Sequence, residues 1–284
     1  MPLRIQLFRK VTIIGVGLIG GSIGLAIKKH KLAREVVGIS QRHSTLMMAL
    51  KNGAIDHAYH DIKKAVFNAD LVILATPVSI INGMFSMIAP HIRKNCIVTD
   101  VGSAKLSIVN TAQERLPNPS LFVGAHPLAG SEKKGVQFAD PDLFRNSLCI
   151  ITPTEVTNRS ALERIKKLWI KLESNIEIMS PEQHDSILSY ISHLPHLVAY
   201  ALMETIPNEY LKYAAQGLKD TTRVASSSPQ LWSDIFLGNK KNIINDLDYV
   251  VNNLSQIRKC LDINDSKGLV EHFKTAKIKR DRID

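Results

Sequence analysis

Short apolar runs alternate with longer amphipathic stretches over the first 179 residues of the chain. Most of the runs are apolar at every position, which is typical of parallel strands that are covered on both faces. The predicted strands are residues 11–15, 36–40, 71–75, 96–100, 122–125, 148–152 and 176–179. The predicted helices between them are residues 19–29, 44–52, 80–88, 105–114 and 159–173. This alternation predicts an α/β domain with a doubly wound, mostly parallel sheet over residues 1–179.

A helix start at Ser180 marks a change in this pattern. The sequence Ser180-Pro181-Glu182-Gln183 has a serine N-cap, a proline in the first turn and a glutamine three residues after the serine. Beyond it, apolar residues recur at helical spacing, and we find no convincing strand. The predicted helices are residues 181–204, 209–215, 229–237, 240–262 and 266–280. We therefore expect an all-helical C-terminal domain over residues 180–284.

The composition narrows the class of protein. The chain has 284 residues, of which 45% are hydrophobic and 22% charged, as expected for a globular protein of two domains. The three cysteines are far apart, odd in number and not in metal-ligand spacing, which fits free thiols in a reducing compartment. The first residues lack the apolar core of a signal peptide, and no run approaches the ~20 apolar residues of a transmembrane helix. We expect a cytoplasmic protein.

The net charge of +10 does not by itself identify a partner. The densest basic run, residues 277–280, is interpreted as a solvated tail, because no aromatic residues interleave with it. We expect neither nucleic acid nor a membrane as a partner, and a small-molecule substrate instead.

A glycine-rich turn follows the first predicted strand and opens the first predicted helix. The candidate dinucleotide contacts in it are Gly15, Gly17, Leu18, Ile19 and Gly20. In a Rossmann-type unit the first glycine allows the tight turn, the second lets the backbone approach a pyrophosphate, and the third lets the helix pack on the strand. The diphosphate then lies at the positive end of the helix. The alternative is a glycine-rich packing turn without a ligand.

The residues after the second predicted strand bear on the choice of cofactor. Sites that prefer NAD place an acidic residue there for the ribose 2′-hydroxyl. This chain has Ser40 and Arg42 instead, and the nearest acid, Glu35, precedes the strand. We therefore predict NADP, with NAD as the alternative if Arg42 is only a solvated loop residue. Thr76 and Pro77, after the third predicted strand, are expected to form the floor under the nicotinamide.

Five segments, in this order along the chain, resemble the prephenate and arogenate dehydrogenases. They are GVGLIGGSIG, TDVGSAK, GAHPLAGSEKKG, SHLPH and GLKDTTRVASSSPQLWSDIFLGN, and the resemblance extends over residues 11–239. It implies the oxidative decarboxylation of a cyclohexadienol in tyrosine biosynthesis. The ring carbon that bears the hydroxyl gives a hydride to NADP or NAD while the ring carboxylate leaves as carbon dioxide. The gain of aromaticity drives the reaction.

The resemblance implies that His126 accepts the proton of the substrate hydroxyl, a role that suits a neutral imidazole. Ser103 resembles the family serine that bonds the same hydroxyl beside the cofactor and helps to hold His126. The alternatives are a structural histidine at a strand end and a serine that only caps a helix.

Two further histidines and an arginine are matched to substrate binding. His196 and Arg223 resemble the family residues that meet substrate carboxylates, and His193 is expected to buttress the site. The planar guanidinium of Arg223 suits a two-point contact with a carboxylate. His193 and His196 also have the spacing of a metal-ligand pair, but no third ligand is suggested nearby. A surface or dimer salt bridge is the alternative for Arg223.

Glu132 and Asp220 are weaker substrate-binding candidates, which would position the cations of the pocket or gate its entrance. The basic segment at residues 133–135 favours prephenate, because arogenate carries an ammonium group. Glu132 itself would favour arogenate, and use of both substrates stays open. Any feedback inhibition by tyrosine is expected to act at the active site.

The resemblance also implies a homodimer through the helical domain. A stripe of eight apolar residues at three- and four-residue spacing, from Ile243 to Leu261, fits a buried interface or an intramolecular core equally well. Two rival functions are disfavoured. A β-hydroxyacid dehydrogenase would present a catalytic lysine from its helical domain, and a non-catalytic NADP sensor or nucleic-acid binder would lack the reactive residues.

Overall fold

The computed structural model describes residues 6–130 and 133–283, which contain one eight-stranded sheet. Its strands are β1 (Phe8–Ile14), β2 (Ala33–Ile39), β3 (His57–Tyr59), β4 (Leu71–Leu74), β5 (Ile97–Asp100), β6 (Phe122–Pro127), β7 (Leu148–Thr152) and β8 (Asn175–Ile178). Their order is β3-β2-β1-β4-β5-β6-β7-β8. All neighbouring strands are parallel except β6 and β7. The mostly parallel sheet predicted from the sequence is confirmed.

Helices cover both faces of the sheet. They are α1 (Leu18–Lys29), α2 (His43–Lys51), α3 (Ile62–Val66), α4 (Val78–Ile88), α5 (Leu106–Arg115) and α6 (Arg159–Lys171). One core lies under α1, α2 and α6, with Ile23 and Trp169 among its buried residues. The other lies under α3, α4 and α5 and includes Phe85 and Ile108. The sheet is therefore doubly wound, and its strands are apolar on both faces for that reason.

The chain becomes helical after Ser180. The serine side chain accepts a hydrogen bond from the Gln183 N–H, and the Gln183 side chain accepts one from the Ser180 N–H, so the predicted capping box is present. The helices are α7 (Pro181–Leu188), α8 (Leu194–Glu204), α9 (Gln216–Thr222), α10 (Pro229–Gly238), α11 (Lys240–Asp262) and α12 (Ser266–Arg280). Among the described helices, none is long and apolar enough to cross a membrane.

Short elements and one helix interruption differ from the sequence predictions. The three-residue edge strand β3, the helix α3 and the helix α9 were not predicted, because each is too short for a clear period. The single helix predicted over residues 181–204 contains a wide π turn at Ser189–His193. Pro195, just after it, has no N–H and would clash with a carbonyl four residues earlier, which favours a wider turn. The helix predicted at 209–215 is the 3-10 helix Asn208–Tyr213.

Candidate active site

The glycine turn lies between β1 and α1, at the point where the strand order reverses. Gly15 has φ +98°, and a Cβ there would lie 2.5 Å from the Ala75 carbonyl oxygen. A Cβ at Gly20 would lie 2.0 Å from the Gly15 carbonyl oxygen. At Gly17, the N-cap of α1, a Cβ would meet no described atom within 4 Å. The first and third glycines thus serve the packing, while Gly17, followed by Leu18 and Ile19, leaves open space where a diphosphate would lie.

Polar groups follow the neighbouring strands at the same edge of the sheet. Ser40 follows β2, and its Oγ accepts a hydrogen bond of 3.3 Å from the N–H of Arg42, which is exposed. Glu35 lies within β2 beside Lys10 of β1, away from this edge. After β4, Thr76 has a buried Oγ1 without a partner in the described chain, and Pro77 is the N-cap of α4. A buried hydroxyl without a partner requires an explanation, and a ligand bound at this strand end would provide one.

His126 occupies the end of β6 and is 8% exposed. Its Nδ1 lies 2.8 Å from Nε2 of His184. On the other side of that ring, Nδ1 of His184 lies 2.8 Å from Oδ1 of Asp185. Burial lowers the pKa of His126 well below 6.5, and the neighbouring His184 and Lys105 act in the same direction. His126 is therefore a neutral base near pH 7.

A buried ion pair fixes the turn that carries Ser103. The ammonium of Lys105 donates to Oδ2 of Asp100 and, at 2.8 Å, to the carbonyl of Ala125, the residue before His126. Oδ2 of Asp100 also accepts the Gly102 N–H at 2.8 Å. Both side chains of the ion pair are fully buried. The turn after β5 and the end of β6 are thereby held together, with Ser103 half-buried in the turn.

The histidines of the helical half meet at Trp232. His196 stacks on the Trp232 ring with 3.5 Å between centroids, and its Nδ1 donates to the Ser192 carbonyl at 2.8 Å. The ring of His193 packs edge-on with Trp232, with 6.1 Å between the ring centroids. Its Nδ1 lies 3.2 Å from the side-chain amide nitrogen of Asn239. Burial lowers the pKa of His193 to about 4. Burial also lowers the pKa of His196.

The remaining candidates lie at the exposed end of this group. Arg223 follows α9 and is exposed. Burial is the larger cause of the lowered pKa of His196, and the positive charge of Arg223 lowers that pKa further. Arg223 forms no ion pair within the described chain. Asp220 accepts a hydrogen bond of 2.6 Å from the side chain of Gln216, and no described contact joins it to the histidines. Glu132 lies outside the described residues.

Several groups of this site carried no signal in the sequence analysis. His184 and Asp185 lie in the first turns of α7, just after the capping motif, and the motif itself does not single them out. Asp100 and Lys105 lie in the segment TDVGSAK, and nothing in the sequence indicates that they form a buried ion pair. In residues 6–130 and 133–283, no group of three or more His, Cys, Asp and Glu side chains is arranged to hold a metal ion.

Comparison with known proteins decides the family. A model for the prephenate dehydrogenase nucleotide-binding domain matches residues 23–178, and one for the prephenate dehydrogenase dimerization domain matches residues 180–275. The chain belongs to the prephenate dehydrogenase family. The family thus has a nucleotide-binding domain followed by a dimerisation domain, in agreement with the fold described above.

Individual relatives match along almost the whole chain. A prephenate dehydrogenase of Bacillus subtilis is 40% identical over 283 residues, which are 97% of this chain and 76% of that protein. A cyclohexadienyl dehydrogenase of Zymomonas mobilis is 35% identical, over 95% of this chain and 94% of that one. The prephenate dehydrogenase of Aquifex aeolicus, solved in complex with hydroxyphenyl propionate and NAD+, has a TM-score of 0.90 and 32% identity, covering all of both chains.

The glycine turn generates a paired prediction. Gly17→Ala should leave the melting temperature almost unchanged but weaken dinucleotide binding by about tenfold or more, because the added methyl group occupies the space for the diphosphate. Gly20→Ala should instead destabilise the fold by about 1–3 kcal/mol, because its methyl group meets the Gly15 carbonyl. Thermal unfolding and fluorescence titration with NADP and NAD measure the two effects. Unchanged cofactor affinity in Gly17→Ala would contradict the assignment.

Proposed function

We propose that this chain is a prephenate dehydrogenase of tyrosine biosynthesis, which converts prephenate to 4-hydroxyphenylpyruvate and carbon dioxide. The observation that carries the proposal is the neutral, buried His126 at the sheet edge that also carries the glycine turn. Family membership and the match to a relative solved with hydroxyphenyl propionate support it. A β-hydroxyacid dehydrogenase is disfavoured, because the helical half places histidines rather than a lysine beside the site.

In this reaction His126 takes the proton of the ring hydroxyl. As the hydroxyl O–H bond breaks, the C–H bond of the same ring carbon gives up its hydride and the carbon–oxygen bond becomes a carbonyl. The bond between the ring and its carboxylate breaks to release carbon dioxide, and its electron pair moves through the ring to the carbonyl oxygen. That oxygen takes back the proton held by His126, so the product is an aromatic phenol and no net proton is released. The bound nicotinamide supplies the acceptor for the hydride. Ser103 is assigned a hydrogen bond to the same hydroxyl, and its place in the braced turn after β5 supports this role.

Substrate carboxylates are assigned to His196 and Arg223. The Nδ1–H of His196 is committed to the Ser192 carbonyl, so a substrate carboxylate would be bound through Nε2, which must then carry a second proton. Arg223 contributes a guanidinium that is not neutralised by a described ion pair, as a carboxylate clamp requires. His193 buttresses Trp232, on which His196 stacks. Glu132 and Asp220 are retained as candidates for ordering the pocket entrance.

The cofactor is proposed to be NADP. Ser40 and Arg42 after β2 offer a hydroxyl and a guanidinium to a 2′-phosphate, and the acid that would bond a free 2′-hydroxyl is missing from the residues after the strand. NAD is the alternative, since the Aquifex aeolicus structure contains NAD+. Thr76 and Pro77 are assigned to the nicotinamide side, as the unpartnered Thr76 hydroxyl suggests.

Prephenate is preferred over arogenate as the substrate. The lysines at 133 and 134 add positive charge near the assigned entrance, which favours a keto acid over an ammonium-bearing substrate. Arogenate is the alternative, because Glu132 in the same segment is an acid that could pair with that ammonium. Because one of the relatives is a cyclohexadienyl dehydrogenase, the activity test includes both prephenate and arogenate.

The purified protein should reduce NADP in the presence of prephenate, followed as absorbance at 340 nm, with a higher kcat/KM than for arogenate or for NAD. No turnover with either substrate and either cofactor would overturn the enzyme assignment. A strong preference for NAD would instead reject only the role given to Ser40 and Arg42.

His126→Asn should lower kcat by about 10²–10⁴-fold, because the amide cannot take up the proton. Dinucleotide affinity, measured by titration, should stay within a few-fold of the parent value. Arg223→Ala serves as the contrasting variant: it should chiefly raise KM through the lost carboxylate pair. A near-normal kcat in His126→Asn would show that another group accepts the proton.

We also propose a homodimer through the helical domain. Of the apolar stripe on α11, Ile243 is 4% exposed, whereas Val251 is 53% and Leu254 60% exposed. The intramolecular core therefore covers only one end of the stripe, and the rest forms an apolar face that another protein surface would cover. The match to a dimerization domain supports a second copy of this chain as its partner.

Leu254→Glu should shift the protein from dimer towards monomer, because it places a charge in the apolar face. Gln256→Glu is the matched control, since two residues further along α11 the side chain lies on the opposite side of the helix. Sedimentation velocity over a range of concentrations measures both. A parent protein that sediments as a monomer would contradict the proposed assembly, as would a Leu254→Glu variant that remains as dimeric as the control.

A further inference from the structure

We infer that His184 and Asp185 are positioning residues that hold His126 in the tautomer whose Nε2 carries no proton. This inference rests on the role proposed for His126 above. It concerns two residues that the sequence analysis did not single out, both in the first turns of α7 and both buried. Neither needs to touch the substrate, because they act through His126.

The tautomer follows from the chain of hydrogen bonds. A carboxylate only accepts, so the 2.8 Å contact between Asp185 Oδ1 and His184 Nδ1 places a proton on that nitrogen. Neutral His184 then has a bare Nε2, which can only accept. This atom lies 2.8 Å from Nδ1 of His126, so His126 donates from Nδ1 and keeps a bare Nε2. A bare Nε2 is what the proposed proton transfer requires.

Backbone hydrogen bonds hold the Asp185 carboxylate as an acceptor that faces His184. Its Oδ1 accepts the Lys105 N–H at 2.7 Å, and its Oδ2 accepts the Leu106 N–H at 2.9 Å. These N–H groups belong to the start of α5, whose dipole favours a negative charge there. The Asp185 carbonyl accepts the Asn239 amide at 2.6 Å, which fixes the backbone as well. Both carboxylate oxygens are thus committed as acceptors, and Oδ1 is held towards Nδ1 of His184.

The other charged and titratable groups around the pair are consistent with neutral imidazoles. Burial lowers the pKa of His184, although the bond to Asp185 opposes the shift. The ammonium of Lys105 faces the pair from the start of α5 and is matched by Asp100 of β5. His193 faces it from the π turn, and burial lowers its pKa to about 4. The carboxylate that contacts the pair of rings directly is therefore that of Asp185, through His184.

During the proposed step, the substrate O–H bond breaks and an Nε2–H bond forms on His126. The Nδ1 proton stays in place, so His126 becomes an imidazolium that donates to His184. His184, already oriented by the Asp185 carboxylate, accepts from a stronger donor than before, which stabilises the new charge. A side chain at position 184 that only filled space would provide neither the tautomer nor this stabilisation.

The test compares two replacements of His184 that are similar in size. His184→Phe removes the acceptor, while Asp185 keeps its two backbone partners. His184→Gln retains an amide oxygen that can accept from His126 and an amide nitrogen that can donate to Asp185. His57→Gln, on the exposed edge strand β3, is the control. Steady-state kinetics with prephenate and NADP, thermal unfolding, and ¹⁵N NMR of histidine-labelled protein are measured for each, with His126 signals assigned by their loss in His126→Asn.

We expect the parent protein to show His126 protonated at Nδ1 and bare at Nε2. His184→Phe should lose this signature and lower kcat by at least about tenfold, part of the factor that a positioned base contributes, with KM changed little. His184→Gln should recover most of kcat, and His57→Gln should match the parent protein. The inference is overturned by a proton on Nε2 in the parent protein, or by His184→Phe retaining its kcat.

The NMR result separates this inference from the proposed function. If the parent protein turns over neither prephenate nor arogenate, the proposed reaction fails, while the tautomer of His126 is still determined directly. If it does turn over prephenate and the Nε2 of His126 carries a proton, the reaction stands and the positioning role is rejected. A folded His184→Gln variant also answers the question should His184→Phe fail to fold.

Discussion

The carboxylate of Asp185 joins the two halves of the molecule at the candidate site. It belongs to α7 in the helical half, yet both of its oxygens accept backbone N–H groups from the start of α5 in the sheet half. A buried carboxylate without partners would be strongly destabilising, so the first turns of α7 are held against this helix start. That contact helps to fix the start of α7 against the sheet half, next to the helical residues assigned to the substrate.

A second buried charge supports the first from the sheet side. The Asp100–Lys105 ion pair ties the turn after β5 to the carbonyl that precedes His126. Lys105 thus serves twice, with its side chain bracing β6 and its backbone N–H binding Asp185. Because one residue links both contacts, His126 and its partner His184 are placed by a single local structure rather than by two independent ones.

The fold could be read from the sequence because its strands are buried on both faces and its long helices have a clear period. The glycine turn could also be predicted from the sequence. Gly15 and Gly20 each lie against a backbone carbonyl that leaves no room for a Cβ, so the turn requires glycine at both positions. The contact between His126 and His184 could not be read in this way. It joins residues 58 positions apart whose pairing depends on how α7 docks on α5. Family resemblance supplied candidate residues, but not the network behind them.

The role of the apolar stripe on α11 also could not be predicted from the sequence alone. Its spacing was compatible with a core or with an interface, and only the exposure of Val251 and Leu254 distinguishes them. Periodicity states which residues share a face, whereas the docking of neighbouring helices decides what covers it. The β3 strand, three residues long, was missed because it is too short to have a period at all.

The π turn between α7 and α8 changes the direction in which the side chains after it project from the helix axis. In an uninterrupted α-helix, nine residues correspond to about 900° of rotation, which would place His184 and His193 about 180° apart. One extra residue accommodated in the wide turn removes about 100° of that rotation, leaving the two side chains about 80° apart. The wide turn therefore changes the angular position of the residues that follow it, so that His184 of α7 and His193 at the end of the turn are directed towards the same side.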